Sequence, residues 1–387
     1  MKFKGFDDQV LKEQLKDRFT VTYRIAAAEQ DALEMARNIT VEQTVEFPAA
    51  HIECNGIRSD IIGRIEEFAP AEEGGYRVWI SYSDQSGTEE FTQFFNVVFG
   101  NSSLLPGITV ENLALSREQE TWFPGPKFGT EGLRTLLNVY DRPIAFTALK
   151  PMGLPTESFA EEAYRCALGG VDMIKDDHGL ANQTFSPFKE RVQAVCNAIR
   201  QAYEETGKKT AYVPNLSGSF SEIIDRVQFA EDCGAGGIML APGLVGYDTL
   251  QYIAQHTTLP VIAHPAMAGC FLDKGAGGFE CGCINGQIPR ICGADLTVFP
   301  NYGGRFSLSQ QQCRSIVERC CEPCGSRKPI LPAPAGGMTF EKIPSIREFY
   351  GTDVALLMGG GLFTVSADLT ENCRRFLRVL QPEDPRM

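Results

Sequence analysis

Residues 169–180 read GGVDMIKDDHGL, an apolar run that ends in Lys175, Asp176, Asp177 and His178. Asp177 and His178 offer oxygen and nitrogen donors to a divalent cation. A lysine ammonium cannot ligate a metal, but a lysine carbamylated by CO2 is an anionic oxygen ligand. Lys175 in that form would help complete the oxygen-rich shell that Mg2+ favours, with substrate oxygens and water as further ligands. The run therefore reads as a metal-assembly site built from Lys175, Asp177 and His178. Its plain alternative is a strand running out into a solvated turn, with Lys175 paired to Asp177.

Seven further short apolar runs follow the same theme. PIAFTALKP (143–151) carries Lys150, TAYVPNL (210–216) Asn215, PVIAHPA (260–266) His264 and LTVFPN (296–301) Asn301. GIMLAP (237–242) is the fifth, ILPAPAG (330–336) leads into Gly336 and Gly337, and VALLMGGG (354–361) into Gly359, Gly360 and Gly361. Between the runs lie stretches such as ESFAEEAYRCALGG, PFKERVQAVCNAIRQAYEE, SEIIDRVQFAEDCG and SLSQQQCRSIVERCC, with apolar residues at three- and four-residue spacing. Continuous apolar strands alternating with helices imply a parallel sheet buried on both faces, and eight such units close a (β/α)8 TIM barrel. Active sites of such barrels lie at the C-terminal strand ends, which is where these polar residues fall. AGGM and MGGGLF, in the last two loops, would expose backbone N–H groups suited to a phosphate.

The first part of the chain differs. RFTVTYRI, DALEMARNI, DIIGRIEEFAP, YRVWISYS, FTQFFNVVFG and TVENLAL mix strands with one or two helices, which implies a small α+β domain of ferredoxin-like type over residues 1–135. The barrel is assigned residues 136–387. A net charge of −13 and a pI near 5.0 argue against nucleic acid or an anionic membrane as partner. No apolar run approaches a membrane span and no charged-then-apolar leader is present, so the expected location is the cytoplasm. Of thirteen cysteines, Cys166, Cys196, Cys233, Cys292 and Cys313 sit in apolar segments as reduced core thiols would, and only Cys321 and Cys324 have the spacing of a metal hook.

GGVDMIKDDHGL together with ALKPMGL resembles the large subunit of ribulose bisphosphate carboxylase, and the motif order from RFTVTYRI to ENCRRFL resembles that of the RuBisCO-like proteins (form IV). The resemblance implies Lys150 as a substrate-binding lysine that assists proton transfer, Lys175 as a carbamylated metal ligand and Asp177 as its carboxylate partner. It places Asn215, His264, Gly336, Gly337, Gly359 and Gly360 among substrate and phosphate contacts. It also implies a homodimer whose active site lies at the subunit interface, with Glu42 and Asn96 reaching the partner's barrel; the plainer role of Asn96 is to cap a turn.

The departures from the carboxylases are specific. His178 replaces a second ligand carboxylate, Pro265 follows His264 in place of a phosphate-gripping arginine, and Ala335 replaces a serine. NYGGRF runs almost at once into the next helix, without the long loop that brings a lysine over bound CO2; Arg305 is a candidate phosphate ligand in that position.

The leading expectation is therefore an enzyme of phosphorylated keto-sugars that does not fix CO2. It would use Mg2+-assisted enolisation or isomerisation of a ketose such as a methylthio-pentulose phosphate, through an enediolate. A decarboxylase or transcarboxylase of a 3-oxo sugar-acid phosphate, such as 3-oxo-isoapionate 4-phosphate, is the alternative, and a non-catalytic binding protein the second. A Schiff-base aldolase would have to use Lys150, since Asp176 and Asp177 make Lys175 a poor candidate. His264 is read as a proton donor or hydroxyl ligand, or more plainly as a rim histidine.

Overall fold

The computed structural model describes residues 17–306 and 308–381. They form two compact units. One gathers the chain up to Pro124 with Ala268–Ile291 and Cys324–Arg327, and the other holds the remainder. The helix Gly129–Leu137, split by the expected boundary after residue 135, belongs wholly to the second unit.

In the first unit, β1 (Arg18–Ile25), β2 (Arg64–Pro70), β3 (Tyr76–Ser83) and β4 (Ile108–Ala114) form an antiparallel sheet in the order β4-β1-β3-β2. With α1 (Glu29–Glu42) after β1 and α2 (Phe91–Phe99) after β3, this is the expected ferredoxin-like βαββαβ arrangement. Phe19, Val21, Tyr23 and Ile25 alternate along β1 on one fully buried apolar face, while Thr20 and Thr22 between them are also buried on the other, so a one-residue slip would put threonines into the apolar core. The apolar FTQFFNVVF is helical, because Phe91, Phe94, Val97 and Val98 fall on one buried stripe. A two-residue strand, Gly278–Phe279, runs parallel to β4 at its outer edge, and the Phe279 ring stacks on Phe95.

The second unit is the eight-stranded parallel barrel. Its strands are β5 (Ile144–Ala148), β6 (Met173–Lys175), β7 (Ala211–Val213), β8 (Ile238–Leu240), β9 (Val261–Ala263), β10 (Leu296–Pro300), β11 (Leu331–Ala335) and β12 (Ala355–Leu357). The bridge between Asn215 and Met239 joins β7 to β8 and closes the ring. Each strand lies within one of the eight apolar runs.

Phe146, Met173, Val213, Met239, Ile262, Val298, Ala333 and Leu357 fill the interior as one cluster. Leu133 and Leu137, from α3 (Gly129–Leu137), join that cluster near the N-terminal strand ends, where the N–H groups of Phe128 and Gly129 donate to Asp295 Oδ1. Outer helices α4 (Thr156–Gly169), α5 (Phe188–Thr206), α6 (Phe220–Cys233) and α7 (Tyr247–His256) follow β5 to β8. After β9 the expected helix is replaced by the excursion Ala268–Ile291 into the first unit; α8 (Gln310–Cys321), α9 (Ile343–Tyr350) and α10 (Leu369–Leu380) complete the layer.

Cys166, Cys196, Cys233, Cys292 and Cys313 are buried free thiols. No helix among the described residues is long and apolar enough to cross a membrane.

Candidate active site

Strand alternation sorts the polar run at the end of β6. Met173 faces the barrel interior, and two-residue periodicity carries Lys175 and Asp177 onto the same side and Asp176 onto the other. Asp176 is fully buried against the helix layer. Its Oδ2 accepts from Arg191 Nε at 3.3 Å and from the Asn215 N–H at 3.1 Å, and its Oδ1 accepts from the Tyr212 hydroxyl at 2.7 Å. Burial pushes the Asp176 carboxyl up, and Arg191 with the two hydrogen bonds pulls it part of the way back. This residue braces the strand end and takes no part in the site.

Lys175 is 3 % exposed, and its Nζ donates to the Asp176 carbonyl at 2.9 Å. Burial, reinforced by the charge of Lys150 and opposed by Asp177 and Asp176, pushes its ammonium down to about 8. Burial therefore favours the neutral amine, the form of a lysine that attacks CO2.

Lys150, just past β5, reaches across to Asp177 Oδ2 in an ion pair. Burial would raise the Asp177 carboxyl, but the hydrogen bonds from His178, Lys150 and the Gly179 N–H outweigh it and hold the group well below the usual carboxylate range. His178 Nδ1 lies 3.2 Å from Asp177 Oδ1, which leaves Nε2 of a side chain 55 % exposed to act as acceptor or ligand.

The His178 ring stacks on His264 with centroids 4.8 Å apart. Burial, with the neighbouring ammonium groups of Lys175 and Lys150, holds His264 well below the ordinary imidazole range. Its Nδ1 accepts from the Ala266 N–H at 3.1 Å, so the neutral ring carries its proton on Nε2. The structure thus brings Lys150, Lys175, Asp177, His178 and His264 together in one cluster.

Asn215 requires a correction. It is 1 % exposed, its Nδ2 donates to the carbonyls of His178 and Leu180, and its Oδ1 accepts from Ser217. An amide with every group engaged pins the turn that carries His178 and is not presented to a substrate. Asn301 is likewise buried, accepting from the Tyr350 hydroxyl.

The glycine turns do converge. A Cβ on Gly337 would lie 3.0 Å from Gly304 Cα and 3.7 Å from Arg305 N, so the loop after β10 rests on the turn after β11. Gly336 and Gly360 face open space, Gly359 packs on the stem of Lys150, and a Cβ on Gly361 would run into the Met338 carbonyl. Arg305 is exposed, its guanidinium over the Phe306 ring. Sequence reasoning missed Lys342, whose Nζ donates to the carbonyls of Gly303 and Gly337, both at 3.3 Å, and brings a second cation to this turn. Only its position five residues after Gly337 could have hinted at this. In the first unit, Glu42 and Asn96 are exposed; Glu42 accepts from Asn101, and the Asn96 carbonyl accepts from Gln43 and from the Gly100 N–H.

Among the described residues no three His, Cys, Asp or Glu side chains come together as metal ligands. Asp177 and His178 supply two donors, and the buried, readily deprotonated Lys175 beside them can supply a third as its carbamate. Those donors fit a hard divalent cation.

Comparison with known proteins follows the same line. The family model for the ribulose bisphosphate carboxylase large chain, catalytic domain, matches residues 129–366. A protein of Rhodospirillum rubrum named 5-methylthioribulose-1-phosphate isomerase is 35 % identical over 365 residues, covering 94 % of this chain and 96 % of that one. One of Bacillus pumilus named 2,3-diketo-5-methylthiopentyl-1-phosphate enolase is 32 % identical over 302 residues, 77 % of this chain and 74 % of its own. The crystal structure of a Rubisco-like protein from Rhodopseudomonas palustris superposes with a TM-score of 0.85 at 38 % identity, over 94 % of this chain and 97 % of that one.

Proposed function

We propose a reaction from one premise: the chain belongs to the ribulose bisphosphate carboxylase large-chain family, within which it is a RuBisCO-like protein. It is an enzyme that moves a proton beside the carbonyl of a phosphorylated ketose, as an isomerase or enolase, and it does not fix CO2. The observation that carries this reading is the meeting of Lys150, Asp177 and His264 around a buried Lys175 at the mouth of the barrel. The loop from Asn301 to Ser309 holds no lysine to stabilise a new carboxylate.

Lys175 as its carbamate, Asp177 and His178 would hold Mg2+. When bound, the ion would polarise the substrate carbonyl and stabilise negative charge developing on its oxygen. The protein's own groups do the rest. Lys150 holds a substrate oxygen and shuttles the proton. Neutral His264 presents its Nε2–H to a hydroxyl or a developing oxyanion, the protonation state that this part-buried, cation-rimmed position favours. Gly336, Gly337, Gly359 and Gly360 receive the phosphate on backbone N–H groups, with Arg305 and Lys342 supplying charge. Two such chains form a homodimer in which Glu42 and Asn96 face the partner's barrel, and the enzyme works in the cytoplasm.

The test is proton exchange followed by NMR in D2O, with Mg2+ and bicarbonate, against phosphorylated ketoses including 5-methylthioribulose 1-phosphate and 3-oxo sugar-acid phosphates. Deuterium entering beside a ketose carbonyl with the intact chain and not with Lys175→Ala supports the reading. Release of CO2 from a sugar acid, or silence across the panel from folded, Mg2+-supplemented protein, overturns it.

A further inference from the structure

Lys150 is held from both sides. On the inner side its Nζ pairs with Asp177, and its stem lies against Gly359. On the outer side the backbone leaves the sheet: the Leu149 N–H still donates to the Lys175 carbonyl at 2.9 Å, but the Lys150 N–H goes to Glu162 Oε2 at 3.3 Å. Glu162 lies on α4, whose buried face carries Phe159, Ala163, Cys166 and Ala167. Its neighbour Glu161 is exposed, where an acidic side chain on an outer helix belongs, whereas Glu162 is half-buried and turned to the strand end.

From this geometry we infer that Glu162 is a positioning residue: it fixes the main chain of Lys150 and, through it, the place of the Lys150 ammonium beside Asp177. The inference rests on the proton-transfer reading of this site. Burial pushes the Glu162 carboxyl up to about 7, opposed by the Lys150 N–H and, along the same helix, by Arg165. Keeping a carboxyl in this half-buried place costs stability that an alanine would not, which is the pattern of a residue retained for the site it serves. A strand-end lysine left free at its own N–H could shift by an ångström, enough to cost one or two orders of magnitude in rate.

Glu162→Ala, Glu162→Gln and, as a control, Glu161→Ala separate the possibilities. In the exchange assay, Glu162→Ala should lose about tenfold or more in kcat with KM little changed. Glu162→Gln, which keeps an acceptor oxygen, should retain most of the rate, and Glu161→Ala all of it. Thermal midpoints of both Glu162 variants should equal or exceed that of the parent.

A second readout needs no substrate. Reductive methylation by formaldehyde and cyanoborohydride, read by peptide mass spectrometry against exposed Lys208, should label Lys150 faster in Glu162→Ala and at the parental rate in Glu162→Gln. If the ketose panel is silent, the proton-transfer reading fails while the labelling still decides the positioning role. Parental labelling of Lys150 in Glu162→Ala, or loss of rate in both Glu162 variants together with a lowered midpoint, overturns the inference.

Discussion

Replacing Arg191 by methionine is the most direct probe of how the site is braced. Arg191 and Asp176 are both fully buried, paired at 3.3 Å, and Arg191 also donates to the carbonyls of Ser186 and Ala181, each at 2.6 Å. Methionine matches the length of the stem but leaves a carboxylate in the interior with only the Tyr212 hydroxyl and the Asn215 N–H as donors. Breaking a buried pair in this way costs about 3–5 kcal/mol, which in a barrel of this size lowers the thermal midpoint on the order of 10 °C.

The pH dependence has a definite sign. Without Arg191 the folded-state affinity of Asp176 for a proton rises further, so the folded form binds more protons than the unfolded one and the deficit shrinks as pH falls. Removing the charge in the double variant Asp176→Asn/Arg191→Met should recover part of the loss. Urea unfolding followed by far-UV circular dichroism at pH 8 and pH 5.5 measures all three. Fluorescence of Trp79 and Trp122, both in the first unit, shows whether the loss is confined to the barrel. A deficit under about 1 kcal/mol, or one independent of pH, would refute the view that this pair anchors the strand end.

Lys175→Met should stabilise the metal-free protein while abolishing exchange activity. The ammonium is pushed from 10.5 to about 8, so the folded state binds fewer protons than the unfolded chain between those values. The cost, up to about 3 kcal/mol, is present in full below pH 8 and disappears as pH rises toward 10.5; equal urea midpoints for parent and variant at pH 7 would contradict this. In the first unit, burial raises the Asp84 carboxyl from 3.8 to about 6. The folded state then binds the extra proton between those values, so stability should rise as pH falls from 6 to 4, and Asp84→Asn should gain about 1–3 kcal/mol at pH 7.5 and lose that advantage near pH 4. Chemical denaturation across that range checks both statements.

Much of this could be read from the chain itself because the relevant patterns are local. A buried parallel strand needs four or five apolar residues in a row, and eight such runs gave eight strands. Polar groups at their ends had to lie together once the barrel closed, which is why Lys150, Lys175, Asp177 and His264 come together in space. The failures have a common cause: they depend on how an element is rotated, or on a distant partner. Asn215 sits at a strand end like the others, but only the three-dimensional turn shows its amide consumed by the His178 and Leu180 carbonyls. Glu161 and Glu162 are indistinguishable in sequence until the rotation of α4 is known. Ala268–Ile291, rich in glycine and without a clear period, pairs with a strand more than 150 residues earlier, which no short-range pattern encodes.

That excursion also sets a timetable for synthesis. Domains commonly fold in the order in which they leave the ribosome, but the first unit here receives its edge strand from Gly278–Phe279 and its last segment from Cys324–Arg327. Some 200 residues separate Pro124 from Arg327, roughly 10–40 s of elongation at ordinary rates. Throughout that interval the outer edge of β4 and the Phe95 and Phe99 rings, which Phe279 later covers, stand open on the nascent chain. The N-terminal unit is therefore begun first and completed only after most of the barrel has been made, and it is during that wait that a chaperone would have the most to protect.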